Sequence, residues 1–121
     1  MKGLLIAGSF FAAISVLLGA FGAHILKTKL SFDDLAVFET AVRYQMFHSL
    51  GVLIMGVAGF YIPHNLIYIP SYFMISGIII FSGTLYLLVY FNLRWLGAIT
   101  PIGGLCLIIG WLFFAYNIYR A

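Results

Sequence analysis

Gly3–Leu26 reads GLLIAGSFFAAISVLLGAFGAHIL, a run without one Asp, Glu, Lys or Arg. Crossing ~30 Å of hydrocarbon takes about 20 mostly apolar residues wound as a helix, so this stretch is long enough to span a membrane. Three further stretches meet the same test: Ala41–Ile62, which stops at Pro63; Ser71–Phe91, which follows Pro70; and Gly97–Tyr119, closed by Arg120. Lipid offers backbone groups no partner, so such runs form helices or closed barrels. Barrel strands alternate apolar and polar residues, which Ile78-Ile79-Ile80-Phe81 does not. The expected fold is all-α: a polytopic membrane protein, one domain over residues 1–121, an antiparallel four-transmembrane-helix bundle. Its spans are expected at about 3–26, 41–62, 71–91 and 97–119, with both termini on one side.

Composition agrees. The 121 residues are 64% hydrophobic and 7% charged, with mean hydropathy +1.15, whereas a soluble domain is about 45–50% apolar and about 25% charged. Disorder, a fibrous repeat, a disulfide scaffold and an ordinary soluble enzyme are excluded. The single cysteine, Cys106, lies in an apolar run and reads as a small buried residue. The net charge of +3 comes from scattered Lys and Arg, with no nucleic-acid patch and no dense lipid-binding cluster. Met1-Lys2 before an apolar run resembles a secretory signal with Ala20-Phe21-Gly22 as a cleavage site, but the run exceeds a usual signal core and is read as a mature helix. Loops one and three carry Lys27, Lys29, Arg94 and nearby Arg43, against Lys2 and Arg120 on the other side, a small excess that leans them towards the cytoplasm.

The first loop is the long one. Ser31–Glu39 is either a short amphipathic segment lying in the headgroup layer or the opening turns of the second helix, with Ser31 or Asp33 as the cap in both readings. In the fourth span, Thr100-Pro101 reads as an N-cap and first helical residue.

Residues three or four apart share a helix face. The first span aligns Gly8, Ala12, Ser15, Gly19 and Gly22; the third aligns Ser76, Gly83 and Tyr86; the fourth aligns Gly103, Cys106, Gly110 and Asn117, with Gly104 beside them. Small residues let helix backbones approach in lipid, so Gly8, Ser15, Gly19, Gly22, Gly83, Gly103, Gly104 and Gly110 are candidate helix-packing positions. The second span carries the chemistry. Tyr44, Gln45 and His48 share one face, expected to look towards the first helix near His24, while Glu39 and Arg43 have the i, i+4 order that favours an ion pair. These six residues form the candidate polar cluster.

Four ordered blocks carry a family resemblance. Gly19-Ala20-Phe21-Gly22-Ala23-His24, then Glu39-Thr40-Ala41-Val42-Arg43-Tyr44-Gln45-Met46-Phe47-His48-Ser49-Leu50, then Phe81-Ser82-Gly83-Thr84-Leu85-Tyr86, and finally Thr100-Pro101-Ile102-Gly103-Gly104 with Gly110-Trp111 resemble the small membrane proteins typified by bacterial YgdD and YwdK. The resemblance covers essentially the whole chain. It implies a four-helix integral membrane protein of the bacterial cell membrane and carries over no catalytic residue.

On function, the first reading is a non-catalytic membrane component in contact with the bilayer, a homo-oligomer or an accessory subunit of another membrane protein, binding no nucleic acid and no cofactor. The second is a small-solute or proton transporter or channel formed between copies, since ionisable residues inside a span are functional candidates. The third is a membrane enzyme or a metal- or haem-binding protein. For that reading, His24 and His48 lack a third ligand, and Ser49, His24 and Glu39 resemble no nucleophile elbow, so no catalytic or metal residue is assigned.

Overall fold

Helix α1, Lys2–His24, contains no charged residue after its first position and carries its apolar side chains on all sides. The computed structural model describes the whole chain, Met1–Ala121. After a 3-10 turn at Leu26–Thr28, α2 runs without interruption from Phe32 to Ala58. Its start is capped: Ser31 Oγ accepts from the Asp34 N–H at 3.1 Å, and Asp33 and Asp34 place negative charge at the helix N-terminus. Residues 31–39 are therefore the opening turns of α2, not a separate interfacial helix.

Helix α3, Asn65–Tyr90, begins before Pro70 and includes it. Asn92 stops it, the one non-glycine residue at positive φ (56°), a conformation Asn tolerates because its short polar side chain bonds locally. A 3-10 turn over Arg94–Ala98 leads into α4, Thr100–Arg120. Thr100 does not cap α4 with its side chain. Ile99 occupies the cap position, and Thr100 Oγ1 turns back to the Leu96 carbonyl at 3.1 Å.

Each helix packs on its sequence neighbour: α1 on α2, α2 on α3, α3 on α4. Ideal Cβ positions mark the pairing. Gly8 faces Leu53 and Ser49, Gly22 faces Phe38, Gly77 faces Leu107, and Gly110 faces Met74 and Pro70. The core gathers Leu4, Val52, Met55, Ile67, Met74, Ile78, Leu107 and Phe114, with a smaller cluster of Leu88, Val89 and Leu96 near the second 3-10 turn.

Only 31 of 121 residues are buried in a chain that is 64% hydrophobic. Most apolar side chains therefore face outward, including Phe10, Leu17, Ile54, Ile79, Ile108 and Leu112, an arrangement stable in hydrocarbon and costly in water. Three helical stretches are long and apolar enough to cross a membrane: Lys2–His24, Asn65–Tyr90 and Arg94–Arg120. Helix α2 is long enough but more polar, because it carries Asp33, Asp34, Glu39, Arg43 and Gln45 up to its midpoint and His48 just beyond it.

Candidate functional site

The polar residues of α2 do not act as one cluster. Gln45, 3% exposed, is the joint between three helices. Its Nε2 donates to the Phe11 carbonyl of α1 at 2.9 Å, and its Oε1 accepts from the Tyr86 hydroxyl of α3 at 2.6 Å. Ser15 Oγ donates to the same Phe11 carbonyl at 2.9 Å, and Ser49 Oγ to the Gln45 carbonyl at 2.5 Å. An amide buried without partners in an apolar interior is disfavoured by several kcal/mol, so one glutamine satisfied from two sides holds α1 and α3 at fixed positions on α2. Tyr86→Phe leaves Gln45 Oε1 without its donor. We expect it to lower stability in detergent by about 1 kcal/mol, read as a shift in the unfolding midpoint, with no change if the bond carries no stability.

His48 faces α4, not α1. Its Nδ1 lies 2.7 Å from the Tyr44 carbonyl; a carbonyl only accepts, so Nδ1 carries the proton. The ring stacks on Tyr44 and meets Trp111 of α4, with centroids 6.0 and 5.9 Å away. His24 is exposed at the far end of α1, near the level of Phe38, which covers Gly22. At 1.5 Å per residue the two histidines sit at depths roughly 20 Å apart. The expected meeting of His24 with His48 does not occur, because position 48 falls on the side of α2 that α4 covers. Tyr44 is partly exposed and packs edge-on against Phe81.

Glu39 and Arg43 are exposed along a shallow groove with Gly19 and Gly22 and form no ion pair. The ion pair of the chain is elsewhere. Arg94 meets Asp34 through two parallel bonds of 2.8 and 2.9 Å, while its Nε donates to Asn92 Oδ1 at 2.7 Å. The hydrogen bonds from Arg94 hold the Asp34 carboxyl below its ordinary range. A lowered carboxylate favours the folded state at neutral pH, and this contribution fades as acidification protonates Asp34. The pair ties the loop after α3 to the first turn of α2, and its 60-residue separation leaves no local signal in the sequence.

Further bonds join neighbouring helices. Ser82 Oγ donates to the Ala41 carbonyl at 2.7 Å, and the Thr84 and Thr100 hydroxyls share a bond of 2.6 Å. Asn117 Nδ2 donates to the Leu66 carbonyl at 2.8 Å. That carbonyl lies four residues before Pro70, which has no N–H to give it. The α4 side chain thus supplies the bond that the proline removes from α3, which is how α3 continues through a residue expected to bound it. No group of three or more His, Cys, Asp or Glu side chains is gathered to hold a metal.

The packing candidates divide sharply. A methyl on Gly103 would overlap the Phe81 backbone nitrogen; on Gly8 it would come within 2.8 Å of Leu53, and on Gly22 within 2.7 Å of Phe38. Gly110 approaches the α3 backbone at 3.3 Å, whereas Gly19 and Gly104 make ordinary contacts and Ser15 is buried. Gly83 is no packing position within the chain: nothing lies within 4 Å of its Cβ site. Gly51, Gly56 and Gly77, absent from the expected stripes, are tight.

A family model described as a protein of unknown function, DUF423, matches residues 18–104, which hold Gln45, His48, Tyr86 and Gly103. A UPF0382 membrane protein of Staphylococcus haemolyticus is 43% identical over 99% of this chain and 98% of its own length. One from Staphylococcus saprophyticus is 42% identical over 99% of both, and YwdK of Bacillus subtilis, also named a UPF0382 membrane protein, is 40% identical over 93% of this chain and 92% of its own. No solved structure matches the chain.

Proposed function

The chain belongs to the DUF423 family, whose members include the membrane protein YwdK, and from that premise we propose that it is a non-catalytic multi-pass component of the bacterial cell membrane. On this reading α2 is a fourth span, accepted by the bilayer because α1 and α3 satisfy Gln45, the Tyr44 carbonyl satisfies His48 Nδ1, and its charged residues all lie towards its N-terminal end, and the four helices form an antiparallel bundle. Paired contacts favour it: Gly8 with Ser49 but Gly22 with Phe38, Ser71 with Met55 but Ser82 with Ala41, Thr100 with Thr84 but Asn117 with Leu66. In each pair of helices, moving forward on one means moving back on the other.

The observation that carries the reading is Gln45. Both ends of its amide are bonded to neighbouring helices, so the most buried polar group of the candidate cluster holds helices together and does not face a ligand. Transport through His24 and His48 loses its support from their separate depths and facings. A homo-oligomer fits the open surface at Gly83, where a second copy can approach α3 without displacing a side chain.

Reconstitution into liposomes tests this. The purified chain is expected to conduct protons and potassium no faster than protein-free vesicles, and His48→Phe is expected to leave both traces unchanged. A proton or potassium flux present in the wild type and lost in His48→Phe would overturn the structural reading in favour of transport.

A further inference from the structure

At the end of the molecule where α1 stops and α2 begins, a cleft of about 330 Å³ lies between α1 and α3. Leu18 and Phe21 of α1 form one wall, and Leu87 and Tyr90 of α3 the other. Its floor is the pair of rings Phe38 and Tyr86, with centroids 5.5 Å apart, and all its lining residues are hydrophobic. Because Tyr86 directs its hydroxyl to Gln45, only the ring faces the cleft. Phe21, Leu87 and Tyr90 are themselves substantially exposed, so the cleft opens sideways, on the surface that meets lipid. The loop after α1 closes it above: Leu26 and Leu30 turn down into it, and the intervening Lys27 and Lys29 are exposed.

We propose that this cleft binds one acyl chain of an anionic glycerophospholipid whose phosphate is held by Lys27 and Lys29. The ion pair at this end joins Arg94 to Asp34, neither lysine is engaged in one, and the acids left unpaired are Asp33 in the first turn of α2 and Glu39 on the groove beside Gly19 and Gly22. The loop places Leu26 and Leu30 in the cleft and Lys27 and Lys29 outside it, which matches the order of chain and headgroup in a lipid. A second copy of the chain does not fit: a helix with its side chains is about 10–12 Å across, too wide for a space bounded by α1, α3 and a floor of two rings. An anionic headgroup gains about 1 kcal/mol for each nearby Lys, so two lysines favour it over a zwitterionic one by about 10–30-fold. This inference goes beyond the proposed function and requires only that the chain resides in a bilayer.

The test uses the full chain in nanodiscs containing phosphatidylglycerol or phosphatidylcholine, each with the same diazirine-bearing acyl chain. Phosphatidylglycerol is expected to label Leu18, Phe21, Leu87 and Tyr90 about 10–30-fold more strongly than phosphatidylcholine. Lys27→Gln with Lys29→Gln should bring its labelling down to the phosphatidylcholine level without altering the thermal melt. Equal labelling by the two lipids, phosphatidylglycerol labelling that survives the double substitution, or labelling spread equally over Phe10 and Leu17 on the open face of α1 would each overturn the proposal. The liposome flux measurement reads none of these, so the two ideas fail separately.

Discussion

Gly103→Ala is expected to destabilise the protein by about 3 kcal/mol, the upper end of the usual range for overpacking. The added methyl overlaps Phe81 N and comes within 2.8 Å of Phe81 Cα and 3.0 Å of the Ile80 carbonyl carbon. Backbone atoms have no rotamer to escape into, so α3 and α4 must separate. Separation also strains the neighbouring contact of Gly77 with Leu107 and the hydroxyl bond between Thr84 and Thr100. Gly103→Leu should prevent the two helices from docking. Gly83→Ala is the control for packing within one chain: nothing of the chain lies near its Cβ site, and in a dispersed monomer alanine favours a helix over glycine by roughly 0.5–1 kcal/mol. Unfolding in mixed micelles should place the two alanine variants on opposite sides of the wild type. A Gly103→Ala protein as stable as Gly83→Ala would show that the backbone approach is not a tight one.

The second large effect is a coupling. Asn117→Leu removes the donor to the half-buried Leu66 carbonyl, and Pro70 supplies none, so an acceptor is left unsatisfied at about 2 kcal/mol. The full penalty is partly offset because Asn117 Oδ1, buried without a partner, goes with it. In a Pro70→Ala background residue 70 has an N–H, α3 recovers its own bond, and the same Asn117→Leu change should lose about 1 kcal/mol less. A double-mutant cycle measures this difference. Strict additivity of the two substitutions would mean that Asn117 does not replace the missing proline bond.

These cases mark how far the sequence carried. Uncharged apolar runs revealed α1, α3 and α4, because length and hydropathy are local properties. Pro70 concealed the true start of α3, since the compensating donor is 51 residues away. Of the glycines, the stripe placed Gly103 and Gly8 in contacts but also Gly83, because periodicity gives a face without saying what lies opposite. His48 failed for the same reason: its spacing from Tyr44 and Gln45 is helical, but a helix with neighbours on two sides divides adjacent residues between them. Gln45 turns to α1 and α3, His48 to α4. The Glu39–Arg43 spacing permits an ion pair, yet both side chains stay exposed, where such a pair gains little.

The bond from Asn117 to Leu66 also has a place in time. Chains are synthesised at about 5–20 residues per second, so the Leu66 carbonyl is made roughly 3–10 s before its donor, the two being separated by 51 residues. Throughout that interval the first turn of α3 carries an acceptor one turn before its proline that its own helix cannot satisfy. The bond can therefore form only once the last turns of α4 have been made, so the C-terminal helix completes a hydrogen bond that its predecessor lacks.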